Sequence, residues 1–93
     1  MKRTLKNIVY HELIGLNVTV LSHSDKGLVG RRGIIVDETV NTLKILDQRG
    51  REITVPKLYG VFRIMLPEKS YADIDGSVIV GRPEDRLKKI KKS

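Results

Sequence analysis

The sequence predicts a small, mainly β protein of a single domain, six short antiparallel strands forming a barrel or sandwich, with short helical segments at both ends. Three observations predict it. Apolar residues recur at every second position through the middle of the chain, turn residues punctuate them at close intervals, and 93 residues suffice for one core only. The expected division is a basic, amphipathic N-terminal arm over residues 1–15, a β-barrel over 16–81 and a basic C-terminal helix over 82–93.

Leu5, Ile8, Val9 and Leu13 stand at helical spacing. Thr4 or Asn7 could cap that segment and Gly15 could end it, giving one or two helical turns. From Asn17 the period falls to two, with Val18 and Val20 alternating against Asn17 and Thr19, and a strand runs to about Ser22. His23 to Gly30 is a polar, glycine-containing loop. Arg31 to Thr39 is a strand with a β-branched centre, and Asn41 and Thr42 turn the chain into a third strand, Leu43 to Asp47. Gln48-Arg-Gly50 turns it again into Arg51 to Val55, and Pro56 ends that strand or sets it on a sheet edge, because proline offers no backbone N–H. Val61 to Leu66 and Ser77 to Val80 supply the fifth and sixth strands. Pro83 opens the last segment, where Glu84 and Asp85 complement the positive end of a helix and Lys88 to Lys92 its negative end.

Charge is unevenly placed. Residues 1–11 hold Lys2, Arg3 and Lys6 with no acid. Residues 82–93 hold Arg82, Arg86, Lys88, Lys89, Lys91 and Lys92 against two acids, and the stretch between has nine bases and nine acids. The two ends thus carry the whole formal +7. A neutral β-rich body with two basic arms reads as a polyanion binder, most simply an RNA binder. Arg31 and Arg32, adjacent at a strand start, are the next candidate RNA contacts.

The sequence excludes much else. No cysteine is present, so disulfides and thiolate metal sites are impossible. His11 and His23 lie in different elements and do not suggest a metal set. Asp73 with Asp75, and Asp37 with Glu38, are the close carboxylate pairs, but they sit beside turn residues, where Asp supports the backbone. Gly27-Leu-Val-Gly30 has the spacing of a KH-domain GXXG loop but lacks its flanking helices. Four aromatics, Tyr10, Tyr59, Phe62 and Tyr71, are too few for a base-stacking sheet, so RNA contact is expected through phosphates and RNA shape. Neither a membrane span nor a hydrophobic stretch of signal-peptide length is apparent, which points to the cytoplasm.

Three strings carry a resemblance: His11-Glu-Leu-Ile-Gly-Leu-Asn-Val18, Gly33-Ile-Ile-Val-Asp-Glu-Thr-Val-Asn-Thr-Leu43 and Gly76-Ser-Val-Ile-Val-Gly-Arg-Pro-Glu-Asp-Arg86. In this order, and over almost the whole chain, they closely resemble archaeal ribonuclease P protein component 1, a family shared with a eukaryotic subunit of ribonuclease P and RNase MRP. The resemblance implies a strongly twisted, Sm-like antiparallel barrel. It also implies membership of the ribonucleoprotein that removes the 5′ leader of precursor tRNA. There the RNA is the catalyst and Mg²⁺ ions serve the hydrolysis, so no cofactor or catalytic residue is expected in this chain. A small zinc-ribbon subunit is the implied protein partner. The implied interface maps to Leu5, Ile8 and Val9, to the strand Ile34, Ile35 and Val36, and to Leu87 with Ile90. The alternatives are a KOW-type or ribosomal SH3-like barrel, from Val18-Thr-Val20, Lys26-Gly27, Gly30 and Gly33-Ile-Ile, and a barrel that binds only proteins.

Overall fold

A computed structural model describes residues 13–67 and 69–81. The expected N- and C-terminal helices, and with them Lys2, Arg3, Leu5, Lys6, Ile8, Val9, Arg82, Arg86, Leu87, Lys88, Lys89, Ile90, Lys91 and Lys92, lie outside the described residues.

Six antiparallel strands form one sheet. They are β1 (Asn17–His23), β2 (Arg32–Glu38), β3 (Thr42–Leu46), β4 (Glu52–Pro56), β5 (Gly60–Met65) and β6 (Tyr71–Asp75), in the spatial order β4-β3-β2-β1-β5-β6. Alternation decides the faces. Val18 and Val20 of β1, Ile35 of β2, Leu43 and Ile45 of β3, Val55 of β4, Phe62 and Ile64 of β5, and Ala72 and Ile74 of β6 all turn inward. Leu13, Leu16, Leu66 and Ile79 complete this core from the connecting segments. Pro56 closes β4 at one edge of the sheet, where its missing N–H costs no ladder bond.

The sixth strand is a correction. Of the residues expected as a strand, Ser77 to Ile79 belong instead to a 3₁₀ turn, Gly76–Ile79, which Val80 follows, and the strand is Tyr71–Asp75. Its pattern is strictly alternating, with Tyr71, Asp73 and Asp75 outward. Aspartates are poor strand formers, so their tertiary partners decide the outcome. Asp73 faces Arg63 in register on β5, and Asp75 caps the 3₁₀ turn by accepting from the Ser77 amide at 2.9 Å.

The sheet curls. Its pairing register shifts at Leu21 in β1 and at Val36 in β2, where extra residues sharpen the twist. Contacts then join strands that are distant in the ladder. His23 on β1 accepts from the Asp25 amide at Nδ1, which leaves Nε2 to donate to the Pro56 carbonyl of β4 at 2.9 Å. Gly76, just after β6, sits against the Lys57 carbonyl, just after β4, so closely that any Cβ would collide with it. The two ends of the sheet therefore meet.

Lys57 is the fastening at that meeting point, and the sequence reading had passed over it. Its side chain is fully buried. The ammonium donates to Glu38 Oε2 at 2.7 Å, to the Thr39 carbonyl at 2.8 Å and to the Gly81 carbonyl at 2.9 Å. Gly81 also donates its amide to Val40 and adopts φ +102°, a region that favours glycine. Glu38, expected beside a turn, is thus an internal counter-ion. The last described residue before the basic C-terminal stretch is held at both its N–H and its C=O.

Candidate nucleic-acid interface

The loop from β1 to β2 and the turn from β3 to β4 lie side by side, and four arginines meet there. Gly30, Arg31 and Arg32 form one wall of an open groove of about 300 Å³, and Asp47, Gln48, Arg49 and Arg51 form the other. Local sequence builds each wall. Asp25 caps a 3₁₀ turn, Lys26–Leu28, by accepting from the Gly27 amide at 3.0 Å, and Gly30 leaves it at φ +85°. The Arg31 Nε donates to the Gly27 carbonyl at 3.3 Å. Opposite, Asp47 Oδ1 accepts from the Arg49 and Arg51 amides, each at 2.9 Å, and Gly50 completes the turn at φ +80°.

The electrostatics favour an anion. Asp47 is the acid among the lining residues. The Arg51 amide does most to hold its carboxyl below the usual aspartate range; desolvation, next in size, opposes it, and the Arg49 amide and both guanidinium charges add to the lowering. Its Oδ1 is committed to the turn backbone. Among the described residues the ion pairs are Lys44–Glu52, Lys57–Glu38 and Arg63–Asp73, so none of the four groove arginines is consumed in one. Guanidinium groups in this state can meet phosphate oxygens two at a time.

A second groove of about 330 Å³ continues from the first and shares Arg32, Asp47 and Gln48 with it. Asn17, Val18, Thr19, Gly33, Ile34 and Leu46 complete its lining. Gly33 is required here, because a Cβ would strike the Leu46 carbonyl.

Of the expected RNA contacts, Arg31 and Arg32 are exposed and brought together with Arg49 and Arg51, which sequence reasoning missed. The available signal was local. Residues 47–51 contain two arginines and one aspartate, a feature hidden by the neutral average of the chain's middle. Of the expected interface strand, Ile34 is 44% exposed and Val36 is half-buried, but Ile35 is fully buried in the core. Strand alternation turns it inward, so Ile35 is not an interface side chain. Among the described residues no cluster of His, Asp or Glu has the makings of a metal site, and no helix is long and apolar enough to cross a membrane.

Asp73 and Asp75 have structural partners. Arg63 donates to both Asp73 oxygens, at 2.8 and 3.0 Å, and its guanidinium lies 4.5 Å from the centre of the Tyr71 ring. The Arg63 bond holds the Asp73 carboxyl below its ordinary range, and the Ser77 amide and hydroxyl do the same for Asp75. Replacing both by Asn should therefore leave the cleavage rate of an enzyme reconstituted with this chain within about tenfold. A loss of several decades in single-turnover cleavage, with assembly intact, would make one of them a catalytic group.

Comparison with known proteins identifies the family. The model of ribonuclease P/MRP subunit p29 matches residues 6–89. The chain belongs to that family. Ribonuclease P protein component 1 of Staphylothermus marinus is 51% identical over 90 residues, covering 97% of this chain and 98% of the relative. The protein of the same name from Methanococcus maripaludis is 48% identical over 86 residues, with 90% of each covered. Among solved structures, Mth11, described as a homologue of human RNase P protein Rpp29, matches with a TM-score of 0.61 and 47% identity. That match covers 82% of this chain and 97% of Mth11. The p29 family is where the three resembling strings had pointed, and the comparisons give the ribosomal-barrel alternative no support.

Proposed function

We propose that this chain serves ribonuclease P by binding its RNA through the arginine groove and the two basic ends. As a p29-family member it is a protein subunit of the endoribonuclease that removes the 5′ leader of precursor tRNA. The observation that carries the RNA-binding reading is the convergence of Arg31, Arg32, Arg49 and Arg51 on one open groove. Four cations gathered at one end of the sheet suit a polyphosphate backbone and have little use in a surface that binds only proteins.

The division of labour is the one that the family resemblance implies. The catalyst is the RNA with its Mg²⁺ ions. Among the described residues, the close acid pair Asp73 and Asp75 is already engaged by Arg63 and Ser77. The protein lowers phosphate repulsion, supports the folded RNA and aids precursor-tRNA binding. A zinc-ribbon subunit contacts Leu5, Ile8 and Val9, the outward Ile34 and Val36 of β2, and Leu87 with Ile90. The curled sheet, with its ends joined at Gly76 and Lys57, suits the Sm-like barrel that the resemblance implies. The site of action is the cytoplasm.

Sequencing the RNA recovered with the tagged chain from its native host tests the proposal. Ribonuclease P RNA should dominate. Ribosomal RNA in its place would favour the ribosomal barrel, and the absence of RNA would favour a protein-binding role.

A further inference from the structure

The arginine groove does not stand alone, and its neighbour has a different character. The second groove opens directly from the first and shares Arg32, Asp47 and Gln48 with it. Its walls offer apolar surface from Ile34 and Leu46, and polar edges from Asn17, Thr19 and Gln48. At about 330 Å³ it lies at the small end of the range of ligand sites, ample for one flat ring system. Cation-lined space thus adjoins a mixed apolar and amide-edged slot, with an arginine at the junction. A single nucleotide has that same polarity: an anionic phosphate at one end, and at the other a flat base with hydrogen-bonding edges.

We infer that the paired grooves hold one unpaired nucleotide of the RNA. Its phosphate lies over Arg31, Arg49 and Arg51, and its base lies in the part of the slot bounded by Asn17, Leu46 and Gln48, beside the Ile34 edge that faces the zinc-ribbon subunit. The inference rests on the RNA-binding reading above and adds a preference to it. A nucleotide within a duplex keeps its base stacked and cannot enter the slot; a bulged or loop nucleotide can. Arg32 takes the part that aromatic side chains play in other RNA binders, because a guanidinium plane can stack on a base. Asn17 and Gln48 can each donate and accept at a base edge. Few aromatics had suggested recognition of phosphates and shape alone; the slot supplies a base site without them.

The test compares two probes at one salt concentration: a short RNA duplex, and the same duplex with one bulged nucleotide. The full-length chain should bind the bulged probe about tenfold more tightly, the scale of one stacked base. Asn17→Ala combined with Gln48→Ala should bring the ratio of the two affinities to within about twofold. Both positions are exposed, and thermal unfolding of the variant reports whether the fold is kept. The wild-type ratio decides the matter even if that variant unfolds. Equal wild-type affinities for the two probes overturn the nucleotide site while leaving RNA binding intact. Failure to bind either probe removes the RNA-binding reading and the nucleotide site with it. Adding a zinc-ribbon partner subunit should preserve the preference; a ratio that collapses to one would assign the slot to the protein interface instead.

Discussion

Lys57→Met should destabilise the fold by roughly 3–5 kcal/mol, the cost of removing one member of a buried ion pair. The substitution keeps most of the apolar stem but leaves the Glu38 carboxylate, 2% exposed, without its ammonium. It also removes donors to the Thr39 and Gly81 carbonyls. Total stabilities of small domains run at about 5–15 kcal/mol, so the variant should sit near the edge of folding. Replacing Glu38 by Leu in the same chain should recover a good part of the loss, because exchanging both partners for apolar groups leaves no stranded charge. Urea unfolding of the three proteins measures both effects. A loss below about 1 kcal/mol for Lys57→Met would mean that the pair does not fasten the sheet ends.

The second large effect belongs to the arginine groove. Changing Arg31, Arg32, Arg49 and Arg51 together to Gln should flatten the dependence of log K on log[salt] by about three units, at about 0.7–0.9 per phosphate contact. The four side chains are exposed and make no ion pair among the described residues, so the unfolding midpoint should hardly move. Ending the chain at Gly81 removes six bases and two acids and should flatten the slope by a similar amount. The two changes should add. The groove adjoins the start of β4 and Gly81 is fastened to Lys57 beyond its end, a separation of roughly 20 Å along the strand. A wild-type slope in the four-Gln variant would move the RNA surface away from the groove and onto the basic ends.

Much of the fold was legible because strand signals are local. Val18 and Val20, Leu43 and Ile45, and Phe62 and Ile64 announce their inward face by spacing alone. Tyr71–Asp75 was not legible, since three outward residues, two of them aspartates, read as a turn until Arg63 and Ser77 are seen opposite them. Arg31 and Arg32 could be named from sequence as candidate contacts. That Arg49 and Arg51 face them could not, because the pairing of β2 with β3 and of β3 with β4 brings the two segments together.

By itself the sequence determined a mainly β chain, its family, its basic ends and the absence of thiol chemistry, all of which depend on residue identity and short-range spacing. Only the tertiary structure decided which β2 side chain faces outward, why a lysine lies wholly inside, and where four arginines meet. The physical reason is that burial and charge convergence depend on neighbours far apart in the chain. For Lys57 those neighbours are Glu38, Thr39 and Gly81, and they assemble only when the sheet curls until its ends touch.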